Sequence, residues 1–220
     1  MAFKLVDLDL DGTLLCYNSE FNSSWDDFYR AANLVKESKD LLNYYLWKKP
    51  LYNEWFNKQV LLLKGKSVSE IESEILPPTY MEGAENLSQE LKSMGLIRGL
   101  LTSGVDIIAR YVEKDLNLDF CECNEVFQEN GFFTGLGKSN VNLWDKKRNL
   151  LKICKQFNVK PKEVVVVGDH ENELELFEIA GLGIAYQPKT DNVTKAADYV
   201  VNNLVDVVPL IRDLNKEMRN

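Results

Sequence analysis

Apolar positions at the start of the chain cluster in a short run, Phe3 to Leu8, that ends in acidic residues and Gly12. Such a run predicts a buried strand followed by a loop. From about residue 22 to 76 strand signals are absent. Helical spacing takes over, as in Leu41, Leu42, Tyr45 and Leu46, or Val60, Leu61 and Leu63. Pro50 divides this stretch into separate helices, and Pro77-Pro78 closes it.

Beyond that point strands and helices alternate. Glu82 to Met94 reads as a helix with Gly95 at its C-terminal end, Leu96 to Leu101 as a strand, and Asp106 to Lys114 as a helix. Phe120 to Phe127 and Phe132-Phe133 flank Glu129-Asn130-Gly131, a hairpin turn signal. Asn142 to Phe157 reads as a helix, and Val164 to Val167, β-branched throughout, as a strand buried on both faces. Glu171 to Ile179 is helical, Leu182 to Ala185 a strand, and Leu204 to Met218 a terminal helix. Strands alternating with helices imply an α/β fold, a parallel sheet covered on both faces. The all-helical stretch interrupts that order after the first strand. This reads as a cap of residues 16–80 inserted into a core of residues 1–15 and 81–220.

Composition narrows the function. The 220 residues are 45% hydrophobic and 27% charged, enough for one core domain with an inserted subdomain. The net charge of -8 disfavours nucleic acid as a partner and would repel a phosphorylated ligand unless a local cation offset it. No targeting segment or membrane span is visible, so a cytoplasmic protein without a membrane partner is expected. The four cysteines, Cys16, Cys121, Cys123 and Cys154, read as unpaired thiols.

In open parallel sheets ligands sit beyond the carboxyl ends of the strands. The first strand delivers Asp9 and Asp11 there, and the second Thr102-Ser103-Gly104. The Val164–Val167 strand delivers Gly168-Asp169, followed by Asn172 and Glu173, and a helix start between them carries Lys146-Lys147-Arg148. A carboxylate can attack phosphorus, and a second carboxyl two residues on can move the protons. Several acids in one place call for a hard cation with oxygen ligands, for which Mg2+ is suited. A Lys and a hydroxyl can hold the charged oxygens of the phosphoryl group.

These segments resemble the motifs of the haloacid dehalogenase-like phosphatases, in particular their phosphoserine-phosphatase-like branch. Asp9-Leu10-Asp11-Gly12-Thr13-Leu14, Leu101-Thr102-Ser103-Gly104, Lys146 and Gly168-Asp169-His170-Glu171-Asn172-Glu173 follow the family order. The resemblance implies a Rossmann-like core with a helical cap, and a phosphomonoester hydrolase working through an aspartyl-phosphate. Asp9 would be the nucleophile and Asp11 the acid and base. Ser103, Gly104 and Lys146 would bind phosphate. Asp9, the Asp11 carbonyl and Asp169 would hold Mg2+, supported by Thr13, Asn172 and Glu173. A phosphomutase, or a catalytically silent binding protein, would be the alternatives on this scaffold.

The chain departs from the family at three points. Asp7 precedes the first motif, so Asp7 and Asp9 could form the pair, although Gly12-Thr13-Leu14 favours Asp9 and Asp11. Glu173 stands where an Asp is usual. The cap has Asn18 and Gln59 where phosphoserine phosphatases carry a Glu and an Arg; Glu20 and Lys58 could substitute with local shifts, but Gln cannot supply the charged fork of Arg. A small phosphorylated metabolite is expected, phosphoserine among the candidates, and Tyr17, Asn18, Trp55 and Gln59 are the candidate substrate contacts. The aromatic-rich cap, with Trp25, Trp47 and Trp55, is expected chiefly to fill its own core with rings, the alternative being that some of them line a pocket for a larger or flatter leaving group. His170, the only histidine, is expected to be solvated or to support the metal loop without acting on the substrate directly.

Overall fold

The computed structural model describes residues 2–17 and 23–218. Its sheet is ordered β4-β3-β2-β1-β5-β6-β7. The strands are β1 (Leu5–Leu8), β2 (Ile97–Val105), β3 (Phe120–Glu129), β4 (Phe132–Lys138), β5 (Val164–Gly168), β6 (Leu182–Tyr186) and β7 (Tyr199–Val201). Neighbours run parallel except β3 and β4, which pair antiparallel as a hairpin. Asn130 and Gly131 turn that hairpin, both at positive φ.

The chain builds outward from β1 through β2, β3 and β4, then crosses back to add β5, β6 and β7 on the other side. The order therefore reverses beside β1, and a crevice opens at the carboxyl ends of β1, β2 and β5. Because β1 and β5 are central, their residues are buried on both faces. Val6 and Leu8 face one core layer, built with α5 (Ala84–Ser93), α6 (Asp106–Asp115) and α10 (Val207–Glu217). Leu5, Val164 and Val166 face the other, built with α7 (Lys147–Gln156), α8 (Leu174–Ile179) and α9 (Asp191–Ala196).

Between β1 and α5 lie α1 (Ser24–Ala31), α2 (Val35–Tyr45), α3 (Tyr52–Leu62) and α4 (Val68–Ile75). Their rings do not close a separate core. Phe28, Tyr29 and Phe56 join the same apolar cluster as Val126 and Phe133 of the hairpin, and only Tyr45, Tyr52 and Trp55 form a small cluster of their own. Backbone bonds tie this region to the hairpin, Gly65 N–H to Phe133 O at 2.8 Å and Val68 N–H to Gly131 O at 3.0 Å.

Several elements differ from expectation, among them β4, which runs on to Lys138, and α10, which starts at Val207. Strand β2 continues through Thr102-Ser103-Gly104 to Val105, with an irregularity against β3 after Leu101. Residues 142–146 are not helical, because the Asn142 side chain accepts from Trp144 N–H at 2.8 Å and closes a turn there. Helix α9 and strand β7 are additional elements, α9 started by Thr190 as its N-cap. The cysteines are unpaired. No helix among the described residues is long and apolar enough to cross a membrane.

Candidate active site

Asp9 directly follows β1 and is fixed from below by Lys146. The ammonium lies 2.7 Å from Asp9 Oδ1 and also contacts Glu173 Oε1, with all three side chains buried. Lys146 immediately precedes the helical residues of α7, and Glu173 those of α8, so two helix starts converge on one strand end. Burial opposes the Lys146 charge, but Asp9 and Glu173 outweigh it and hold its pKa above the usual lysine range. One ammonium cannot offset both acids. Burial, with repulsion from Asp9, therefore pushes the Glu173 carboxyl well up. The longer Glu fits because Gly168 has no side chain; a Cβ there would overlap Glu173 Cγ. Asn172 Nδ2 donates to Glu173 Oε1 at 2.9 Å.

Asp11 is held from the other side. Tyr17 Oη donates to its Oδ1 at 2.6 Å, Ser24 N–H to the same oxygen at 2.9 Å, and Ser24 Oγ to Oδ2 at 2.9 Å. Burial raises its carboxyl to about 6, with these hydrogen bonds working against the rise. Asp169 presses on the backbone at Gly12, where a Cβ would collide with its carboxylate. Burial, then repulsion from Asp9, lifts Asp169 to about 7, and its Oδ1 is buried without a partner among the described residues.

The Ser103 carbonyl accepts from Trp25 Nε1 at 3.0 Å and from Asn124 Nδ2 at 2.8 Å, which pins that segment against α1 and β3. Ser103 does not cap α6, which starts after Val105; it lines the cavity, where its side chain hydrogen-bonds Tyr52. The Gly104 N–H donates to Thr102 Oγ1 at 3.0 Å, so it is turned onto its own chain. Gly104 is needed for packing, since a Cβ would come within 2.6 Å of Ser24 Oγ.

Asp9, Asp11, Ser103 and Asp169 line one cavity with Tyr17, Trp55 and Gln59, and exposed His170 stands at its edge. Asn18, the remaining candidate, lies outside the described residues. Asp7 does not line the cavity. It is buried within β1, where loss of water raises its carboxyl to about 8, so Asp9 and Asp11 are the pair that faces the cavity. Thr13 is fully buried, with no partner for its hydroxyl among the described residues.

The oxygen-rich set suits a hard cation. Asp9 and Asp169 repel one another, Asp169 Oδ1 is buried without a partner among the described residues, and the Asp169 carboxylate lies against Gly12. No three His, Cys, Asp or Glu side chains gather as a metal cluster among the described residues, so two carboxylates would need a backbone oxygen beside them.

A haloacid dehalogenase-like hydrolase family model matches residues 3–181. The chain belongs to the haloacid dehalogenase-like hydrolases. Within that family it stands in the phosphatase branch resembling phosphoserine phosphatase. It is 30% identical over 187 residues to phosphoserine phosphatase of Methanocaldococcus jannaschii, covering 84% of this chain and 86% of that one. It is 30% identical to phosphoserine phosphatase of Idiomarina loihiensis over 73% of this chain and 74% of the relative. Its backbone is similar to that of a phospho-aspartyl intermediate analogue of phosphoserine phosphatase, with a TM-score of 0.79 and 28% identity over 96% of this chain and 99% of the other.

Ser24 is not singled out by sequence, and Trp25 reads there only as one of the cap's rings. Ser24 adjoins the α1 N-cap, Ser23, and a serine there reads as capping. Only the docking of α1 on the core turns it toward Asp11.

Proposed function

We propose that this protein hydrolyses a small phosphomonoester in two steps, with Asp9 as nucleophile and Asp11 as general acid and then base. The observation that carries this reading is the opposed fixing of two carboxylates two residues apart. Asp9 is held by Lys146 Nζ at 2.7 Å, and Asp11 by Tyr17 and Ser24.

In the first step an Asp9 oxygen forms a bond to phosphorus while the bond to the leaving oxygen breaks, and Asp11 gives that oxygen its proton. In the second, Asp11 takes a proton from water as the water oxygen bonds to phosphorus and Asp9 is released. Lys146 and the Ser103 hydroxyl hold the non-bridging oxygens, where charge concentrates. Asp9, Asp169 and the Asp11 carbonyl would hold Mg2+, with Asn172 and Glu173 orienting the site. When bound, the ion offsets the charge of the phosphoryl group and of the two carboxylates. Residues 16–80 act as a cap over the core of 1–15 and 81–220 and exclude water during the first step. Phosphoserine, named for the relatives, is one candidate substrate.

Purified protein should release inorganic phosphate from p-nitrophenyl phosphate with Mg2+ present. EDTA should stop the release and excess Mg2+ restore it. No release with any divalent metal would overturn the reading.

A further inference from the structure

The cavity above Asp9 has a volume of about 730 Å3, more room than a three-carbon amino acid ester fills. Its wall away from the catalytic acids is mainly aromatic. Trp25 comes from α1, Trp47 from the turn after α2, Tyr52, Trp55 and Gln59 from α3, and Trp144 from the loop before α7. Trp47 and Trp144 meet at 5.7 Å between ring centroids, tilted by 32°. No Asp, Glu, Lys or Arg of α2 or α3 lines the cavity.

That wall is poorly matched to an amino acid. A substrate carboxylate needs a cation, and an unpaired charge in such a place is costly. Lys189 is the one Lys or Arg lining the cavity among the described residues; it is exposed, and its charge acts on Asp169. Asp26 and Glu171 add negative charge to the lining. A cationic leaving group fares no better near the paired tryptophans, because Lys49 Nζ already lies 4.5 Å from the Trp144 ring centroid. Lys48 stands beside it, over Tyr44.

We infer that the site takes phosphomonoesters whose leaving group is a flat, uncharged aromatic alcohol, its ring lying against Trp55, Trp47 and Trp144. This rests on the phosphatase reading above. The rings supply apolar area and stacking faces, and neutral Gln59 supplies one polar contact in place of a charge.

The test compares kcat/KM of the full chain with Mg2+ for 2-(2-naphthyl)ethyl phosphate, propyl phosphate, L-phosphoserine and phosphocholine. All four leave as primary alcohols, so differences chiefly report the cavity. The naphthyl ester should exceed both phosphoserine and phosphocholine by about ten-fold or more. Trp47→Ala, at a position 70% exposed and so tolerant of change, should lower the naphthylethyl-to-propyl ratio several-fold. Gln59→Arg should raise phosphoserine relative to the naphthyl ester. Phosphoserine or phosphocholine at or above the naphthyl ester, or a ratio unmoved by Trp47→Ala, overturns the inference. Failure to release phosphate from any ester, p-nitrophenyl phosphate included, would instead sink the phosphatase reading and this inference with it.

Discussion

Ser24 supplies two of the three hydrogen bonds that hold Asp11 among the described residues. A hydrogen bond to a charged group is worth about 1.5–3 kcal/mol. Ser24→Ala removes the Oγ contact and keeps the backbone one. Its kcat should fall by about ten-fold, equivalent to roughly 1.4 kcal/mol in the barrier, with KM little changed. A loss confined to KM would mean that Ser24 orients substrate and not Asp11. Glu173 illustrates a substitution that is readable in sequence but not interpretable there. Its extra methylene matters only because Gly168 leaves room beneath it and Lys146 lies within reach.

Helix α6 begins with Asp106, whose Oδ1 accepts from Val126 N–H of β3 at 3.2 Å. Burial at that junction pushes its carboxyl up to about 6. Between about pH 4 and 6 the folded protein therefore binds a proton that the unfolded chain has released, and stability falls as pH rises through that window. Below it the loss is absent, and above it the loss is constant. Asp106→Asn keeps the acceptor and removes the titration. In denaturant unfolding, wild type should lose stability relative to Asp106→Asn from about pH 4 to 6, then run parallel to it; parallel curves throughout would contradict the assignment. Element boundaries were legible where backbone chemistry is local, as at Asn130-Gly131 or at Gly95, both glycines at positive φ. They were missed where a side chain closes a turn inside a helical pattern, as Asn142 does before Trp144. Strand β7 has only three residues, too few for period-two spacing to stand out.

Across the whole molecule, alternating strand and helix patterns carry the parallel core, and the motif order alone puts Asp9, Ser103, Lys146 and Asp169 near one sheet edge. The joining of cap and core was not legible. Phe28 and Phe56 share a cluster with Phe133, and Tyr52 Oη donates to Val141 O at 3.1 Å, contacts between residues far apart in sequence. The same docking brings Ser24 to Asp11 and Trp25 to Ser103, so the helical region reaches two residues of the proposed chemistry as well as the cavity wall. All of this depends on Asp9 being the group that bonds to phosphorus. Acid-quenched turnover followed by mass spectrometry of the proteolysed protein tests it most directly. The account predicts one added phosphoryl group on the peptide containing Asp9, mapped to that residue and absent from Asp9→Asn. A phosphoryl group on Asp7, Asp11 or His170, or its persistence in Asp9→Asn, would contradict it.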